Sequence, residues 1–539
     1  MRQRRQLALA VTFAVLVSGA TMVGAASPVG AGSSGGGGTL RYGLEAEADG
    51  LNPTANRFVA PGFVMANAVY DPLFRLGTDR KFHPWLAESA TPNADFTAWD
   101  IKLRPNIKFH DGTPLTSEAI KANLEAELAD PLIGLAINDF FDPDNPVEIV
   151  DDLTARLHMA GPNAHIAQYF VAQIGYIASP TYIAAAEENP DLNQEPVGTG
   201  PFVFESRTQD STTTFVRNDD YWRGEVKLDG IEFVIQTDPA RRADQLLADE
   251  LDMMHTSDFG TIKLLRAEDV QTIEQGTAED GFALINTQQP PFDDVRARKA
   301  LALATPRENY LQIIGKGIAE PADSMFHPSL PSANPKVKQE ADKPAAAKRV
   351  AEEYCAESPD QCEGDKIKFT FKYTGPSAVL ELTADVLIDG WKSAFVVDRA
   401  QELQDDYVLH VATGDYQVVA WRQFGAEDPD GDFTWIDCRN AGGPGSLSIT
   451  WSRYCNDEIQ ELGLEQRASD DPDLQAESWQ RISALLNENY VYIFLSHTIW
   501  QVAASDNVKN PVFTKQADGK GKSVLGNGIH SLWQISLKG

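Results

Sequence analysis

"PVGTGPFVFESRTQDSTTTFVRNDDYWRG", Pro196 to Gly224, is the stretch on which the fold turns. Within it, "GPFVFES" and "TTTFVRN" are rich in β-branched and aromatic residues and flank a polar "RTQD", the pattern of a β-hairpin. Gly198, Gly200 and Pro201 precede the first strand. Their backbone freedom and restriction suit a tight turn, so they read as architecture rather than as ligand contacts. Tyr221 and Trp222 follow the second strand and read as side chains packed into a core.

Outward from this hairpin the chain alternates between helix and strand patterns. "TLRYGLEA" reads as an entering strand, and "AWDIKLRPNIKFHDG" alternates with Trp99, Ile101 and Leu103 on one face and Asp100 and Lys102 on the other. After the Asp111-Gly112 turn, "LTSEAIKANLEAEL" starts a helix with Thr116 or Ser117 as its cap. "IEFVIQT" reads as a strand and "ARRADQLLADEL" as a helix. "VRARKALALA" and "WQRISALLNENY" continue as helices and "YIFLSH" as a strand. With no repeat period, this is a mixed α/β or α+β protein. The length of 539 residues predicts two or three domains.

The formal net charge of -32 repels nucleic acid and anionic lipid, which removes both as partners. "MRQRR", the apolar Leu7 to Ala26, and the small residues Ala26 and Ala31 have the layout of a secretory signal peptide, followed by a flexible "GSSGGGG". The apolar run is also about long enough to remain as an uncleaved anchor. The leader holds no cysteine for a lipid anchor. The four cysteines, Cys355, Cys362, Cys438 and Cys455, suit an oxidising compartment, and two local bridges are the simplest of the three possible pairings. Zinc is the competing reading, but the spacings match no usual zinc pattern.

Several of these stretches together resemble the extracytoplasmic solute-binding proteins of ABC importers, in the peptide/nickel-type family that includes oligopeptide- and dipeptide-binding receptors. The resemblance is carried by "GTLRYGLEAEADGLNP", "VYDPLFRL", "PWLAESA", "FHDGTPLTSEAI", the quoted Gly-Thr-Gly-Pro hairpin with its Asn-x-x-Tyr-Trp end, "QQPPFDDVRARKALALAT", "ADVLIDGWKSAF" and "GDYQVVAW". It implies a periplasmic-binding-protein type of fold: two lobes, a hinge and three domains. Domain I would comprise residues 39–70, 196–283 and 503–539, domain II residues 71–195, and domain III residues 284–502, after a leader and linker over 1–38. The hinge would cross near Phe282-Ala283-Leu284 and Trp500-Gln501-Val502. A monomer without cofactor or metal would close on a small-molecule or peptide ligand and dock on a membrane permease.

The site expectations follow from the same resemblance. "YQVVAW" is a buried strand, and the chain beyond it leaves the sheet at Arg422 to face the cleft. Trp421 would supply a flat wall and Arg422 a forked cation for a carboxylate. The alternative makes Arg422 a surface residue paired with Glu427 or Asp428. In the peptide receptors an aspartate three residues after this tryptophan holds the peptide amine; here that position is Phe424, and the acids arrive later, at Glu427, Asp428 and Asp430. A one-residue bulge would bring Glu427 or Asp428 to the same place. Arg57, Phe58 and Val59, after the Leu-Asn-Pro bend, would meet ligand from the first lobe. On "VYIFLSH", Tyr492, Phe494 and Ser496 share one strand face and Ile493, Leu495 and His497 the other. The resemblance puts Phe494 in the cleft, with His497 as a further candidate or a core histidine. Trp391 reads as core.

No Gly-x-Ser-x-Gly is present, and "QADGKGKS" has Gln516 where a phosphate loop needs glycine. "DPDGD" has its glycine too early for an EF-hand. The expectation is a receptor rather than an enzyme, for a peptide or, alternatively, an oligosaccharide or opine-like carboxylate. A secreted hydrolase remains the reading from another class.

Overall fold

The computed structural model describes residues 37–538 apart from 78, 80, 132, 172, 277, 278, 516–520, 524 and 527. The expected leader, all of the linker before Gly37 and the start of "QADGKGKS" lie outside the described residues. Two bridges, Cys355–Cys362 and Cys438–Cys455, join the cysteines locally.

The quoted hairpin forms the edge of a seven-stranded sheet, with Phe202 opposite Arg217 and Thr208 opposite Thr212. The entering strand Thr39–Leu44 lies inside this sheet, parallel to Gly230–Ile235 on one side and Met253–Thr256 on the other. Trp500–Ala504 and Gln271–Gln275 complete the far edge. A second sheet holds Lys366–Thr374, Val418–Gln423, Asp280–Ile285 and Tyr492–His497, flanked by Cys362–Glu363 and Phe395–Glu402. A third, of four strands, joins Ala87–Pro92, Ala98–Leu103, Thr154–His158 and Val147–Asp151. There Trp99, Ile101 and Leu103 are buried and Lys102 is exposed, as the alternation predicts.

The chain passes from the first sheet to the second between Gln275 and Asp280, and returns between His497 and Trp500. Phe282-Ala283-Leu284 therefore sits inside the second sheet and Trp500-Gln501-Val502 inside the first. Each crossing falls a few residues earlier than expected. The reason is backbone pairing: Asp280 is still in register with Gln423 and His497.

The second sheet is buried on both faces. Phe282, Leu284, Val419, Tyr492 and Phe494 join one core, and Ala283, Ile285, Val418, Ile493 and Leu495 the other. Such two-sided burial explains why these strands are almost continuously apolar. Trp391 lies in the second of these cores, its indole donating to Thr305 Oγ1 at 2.9 Å.

Several sequence motifs converge on one buried carboxylate. Asp71 accepts from Trp85 Nε1 at 2.7 Å, Trp222 Nε1 at 2.8 Å, the Tyr221 hydroxyl at 2.9 Å and Thr199 Oγ1 at 3.2 Å. A buried acid is tolerable only when its oxygens are satisfied in this way. "VYDPLF", "PWLAES", "GTGP" and "DDYWRG" are thus parts of a single joint. Gly198 and Gly200 pack so closely on the Val69 carbonyl that a side chain at either would overlap backbone, which is why this turn needs glycine.

Candidate functional site

The cores leave a cavity of about 270 Å3 where the three sheet-bearing regions meet. Asn67 enters from the helix Ala60–Val69 and Arg75 from the strand Phe74–Leu76. Gln168 and Tyr169 come from the short helix Ile166–Tyr169, and Ile529, His530 and Ser531 from the C-terminal segment. The second lobe supplies Ala426, Glu427 and Gly431, from the loop after Val418–Gln423. Positive and negative side chains, Arg75 and Glu427, both face this space. Glu427 Oε1 accepts from Gln275 Nε2 at 3.2 Å.

The conformation of that loop decides which expected residues reach the cavity. The strand continues through Gln423, one residue past the expected exit at Arg422. Phe424 and Gly425 then both take positive φ, 71° and 86°. A phenylalanine in this region is uncommon and needs compensation. Packing supplies it: the Phe424 ring is buried, stacks on Phe282 at 5.4 Å and meets Tyr492 edge-on at 5.1 Å. The double left-handed turn sends Phe424 back into the core and carries the acids out toward the cleft.

The other expected site residues divide in the same way. Trp421 stays against Tyr407 and Trp451, with ring separations of 5.8 and 5.9 Å, and does not line the cavity. Phe494 is core, against Phe282 and Tyr492, because both faces of its strand are covered. Arg57 and Val59 are exposed and Phe58 is buried against Phe63 and Tyr176; none of the three lines the cavity. Arg422 pairs with neither Glu427 nor Asp428. Its Nε lies 2.8 Å from Glu279 Oε2, its Nη1 donates to Ser257 Oγ at 2.8 Å, and its guanidinium sits 5.2 Å over Trp500. It ties the two sheets together at the hinge. His497 is a buried hinge residue, its Nδ1 2.5 Å from Asp280 Oδ1.

Asp428 and Asp430 form a polar junction between the second lobe and the region of the third sheet. His165 Nδ1 lies 2.5 Å from Asp428 Oδ2, and His165 Nε2 donates to the Gln466 carbonyl at 3.2 Å. Asp430 is fully buried. It accepts from Arg467 Nε at 2.9 Å, from Gln466 Nε2 at 2.6 Å and from the Tyr169 hydroxyl. The Arg467 guanidinium packs on Phe140 and Phe433, one from each side of the junction. Burial alone would lower the His165 pKa, but the hydrogen bond and charge of Asp428, with Asp430 behind, push it up to about 9. Burial likewise opposes charge on Asp430, yet Arg467 and His165 hold its pKa below the usual carboxylate range. Among the described residues no cation pairs with Asp432. Burial pushes it up to about 8, Asp280 and Asp428 adding to the effect while backbone N–H groups of Ala426 and Gly425 oppose it.

His530, on the cavity wall, is neutral: burial pushes its pKa down to about 4. Its Nδ1 lies 3.1 Å from the Ser531 carbonyl, which can only accept, so Nδ1 carries the proton and Nε2 accepts from the Tyr42 hydroxyl at 2.7 Å. Among the described residues no group of three or more histidine, cysteine or acidic side chains is placed to hold a metal ion. None of their helices is long and apolar enough to cross a membrane. Sequence reading missed Arg75, His165 and Arg467. Arg75 stands inside the quoted "VYDPLFRL", but nothing in the sequence marks His165 or Arg467, whose partners lie in distant segments.

A cavity lined from both lobes, which two chain crossings join, is the design of a binding receptor. Residues 81–444, more than half of the chain, match the model of the bacterial extracellular solute-binding proteins, family 5. The chain belongs to this family, whose members are solute receptors of ABC importers rather than enzymes. It is 25% identical over 456 residues to the di/tripeptide-binding protein 2 of Pseudomonas aeruginosa, covering 79% of this chain and 83% of that one. Among solved structures it resembles the dipeptide-binding protein of Pseudoalteromonas sp. SM9913 in complex with Met-Leu, with a TM-score of 0.79, 19% identity and coverage of 93% and 100%. It resembles equally AgaA of A. tumefaciens R10 in complex with agropinic acid, with a TM-score of 0.79, 21% identity and coverage of 93% and 99%.

Proposed function

We propose that this receptor captures a short peptide in the interlobe cavity and delivers it to the permease of an ABC importer from outside the cytoplasm. The observation that carries the peptide reading is Glu427 on the cavity wall, an acid where the solute's amine needs one. The left-handed turn at Phe424-Gly425 restores by a detour the acid that the Phe424 position lacks. Asp428 is already engaged by His165, so Glu427 takes the amine-binding role. The reading includes a monomer of the three domains expected from the sequence, domain II over 71–195 inserted in domain I, with the boundaries between domains I and III moved to the crossings at 275–280 and 497–500. It also includes export by the N-terminal leader, which is either cleaved or kept as a tether.

An oligosaccharide is less well served, because Phe424 is in the core and Trp421 is covered by other rings, leaving neither as a stacking platform. An opine-like carboxylate keeps a specific support, the cation Arg75 on the same wall system. A hydrolase would need a nucleophile beside a base. His530 and Ser531 are adjacent, but both imidazole nitrogens are occupied, by Tyr42 and by the Ser531 carbonyl.

Thermal denaturation with a dipeptide library tests the reading. A ligand at a hundredfold excess over its Kd should add about 2.7 kcal/mol to stability, and mass spectrometry should recover it unchanged. A flat response across the library, or a ligand recovered as product, refutes it.

A further inference from the structure

Arg75 keeps hydrogen-bonding capacity that its protein neighbours leave unused. Its side chain is only 11% exposed, and its Nε is buried with no hydrogen-bond partner among the described residues. Nη1 donates at 3.1 Å to Asn67 Oδ1, a neutral amide. The nearest acid is Asp71, with Oδ1 3.7 Å from Nη2, beyond good hydrogen-bond reach. The Asp71 oxygens are moreover taken by Trp85, Trp222, Tyr221 and Thr199. The guanidinium is held 4.6 Å over the Trp85 ring, which fixes its plane. A planar fork so oriented suits bidentate capture of a carboxylate.

Resting on the reading of this cavity as the solute site, we propose that the solute carries a free carboxylate seated on Arg75. Its cationic nitrogen then faces Glu427. The volume of about 270 Å3 lies just below the usual range of ~300–1,000 Å3 for small-molecule sites. That admits a compact zwitterion of dipeptide size and leaves out an extended oligopeptide. The same chemistry could come from a peptide C-terminus or from an opine acid, and the choice of probes separates them.

Calorimetry with three probes tests the assignment: Met-Leu, its C-terminal amide, and agropinic acid. The unmodified receptor should bind Met-Leu or agropinic acid, and the amide at least thirtyfold more weakly than Met-Leu if the source is a peptide. Arg75→Met should reduce affinity for the free acid to that of the amide while leaving amide affinity unchanged, which a purely structural role for Arg75 would not do. Arg75→Lys should recover part of the loss. An amide that binds as tightly as the acid overturns the proposal while the receptor reading stands, as does an Arg75→Met loss equal for both probes. If Arg75→Met does not fold, the acid-to-amide ratio of the unmodified chain still decides. Failure of every probe overturns both the reading and the proposal.

Discussion

Closure of the lobes should be tighter at mildly acidic than at alkaline pH, and His165 should be the reason. With His165 held against Asp428 its pKa stands at about 9, against an ordinary value of 6.5 that it would regain once the lobes part. Below about pH 6.5 both states are protonated and the His165–Asp428 pair contributes fully. As pH rises from there to about 9, the open form loses its proton first, and closure weakens by ~1.4 kcal/mol per pH unit. The total is about 3 kcal/mol, a few hundredfold in the closing equilibrium and, where only the closed form holds ligand well, in Kd. Solvent screening removes little of this, since the His165 side chain is 3% exposed. The groups that face the imidazole are Asp428, Asp430, Gln466 and Gln475, with Arg467 and Tyr169 behind Asp430.

Calorimetric titration of a bound dipeptide from about pH 6 to about pH 10 should therefore show Kd rising, steepest between the two pKa values. His165→Gln should flatten the curve and weaken binding at the acidic end. Asp432→Asn should leave the slope in place, because Asp432 is buried within its own lobe, where it accepts from the Ala426 N–H at 3.1 Å. A His165→Gln variant that keeps the full pH slope refutes the assignment.

Three further outcomes follow from the same geometry. Arg422→Ala should change ligand affinity by about 1 kcal/mol or less, because its half-exposed guanidinium bridges Glu279 and Ser257 at the hinge, away from the cavity; a loss of several kcal/mol in calorimetry would return it to the ligand site. Asp71→Ala should lower the urea unfolding free energy by about 3–5 kcal/mol, since it strands the buried donors of Trp85, Tyr221 and Trp222; a change under about 1 kcal/mol would contradict the joint. Asp432→Asn should stabilise the fold, and more so at about pH 8 than at about pH 5. The raised pKa means that the folded state must hold a proton the unfolded state releases, a cost that grows with pH up to about 8; equal effects at both pH values would refute it.

The elements were legible because their periods are strong. The hairpin from Phe202 to Arg217, the alternating strand at Trp99 and the helix Val295–Ala304 all follow from local pattern. The site was less legible, for two physical reasons. Alternation places Phe494 and His497 on opposite faces of one strand, but both faces are buried, so neither face can be recognised as the cleft from sequence. Phe424 stands in sequence where the peptide receptors place their aspartate, and only its positive φ shows that its ring turns inward. Arg75 and His165 acquire meaning from groups far along the chain. His165 and Asp428 are 263 residues apart, and nothing local to either announces the other.

On the proposed function, the segment from Ala426 to Asp432 would bear on both capture and closure. Glu427 faces the cavity, Asp428 accepts the hydrogen bond of His165 Nδ1, and Asp430 fills the pocket made by Arg467, Gln466 and Tyr169. These roles fall to successive acids of one short segment, whose path is set by the turn at Phe424-Gly425. A solute drawing Glu427 toward the first lobe must move Asp428 toward His165 along with it, because few backbone torsions separate them. Closure would then strengthen binding without a distant relay: the proposed ligand contact and the latch contact would be made by neighbouring residues of one short segment, and each would stabilise the arrangement the other needs. By reciprocity, protonating His165 must tighten the solute by the factor that the solute raises the pKa of His165, so a bound dipeptide should shift the imidazole titration seen by NMR upward.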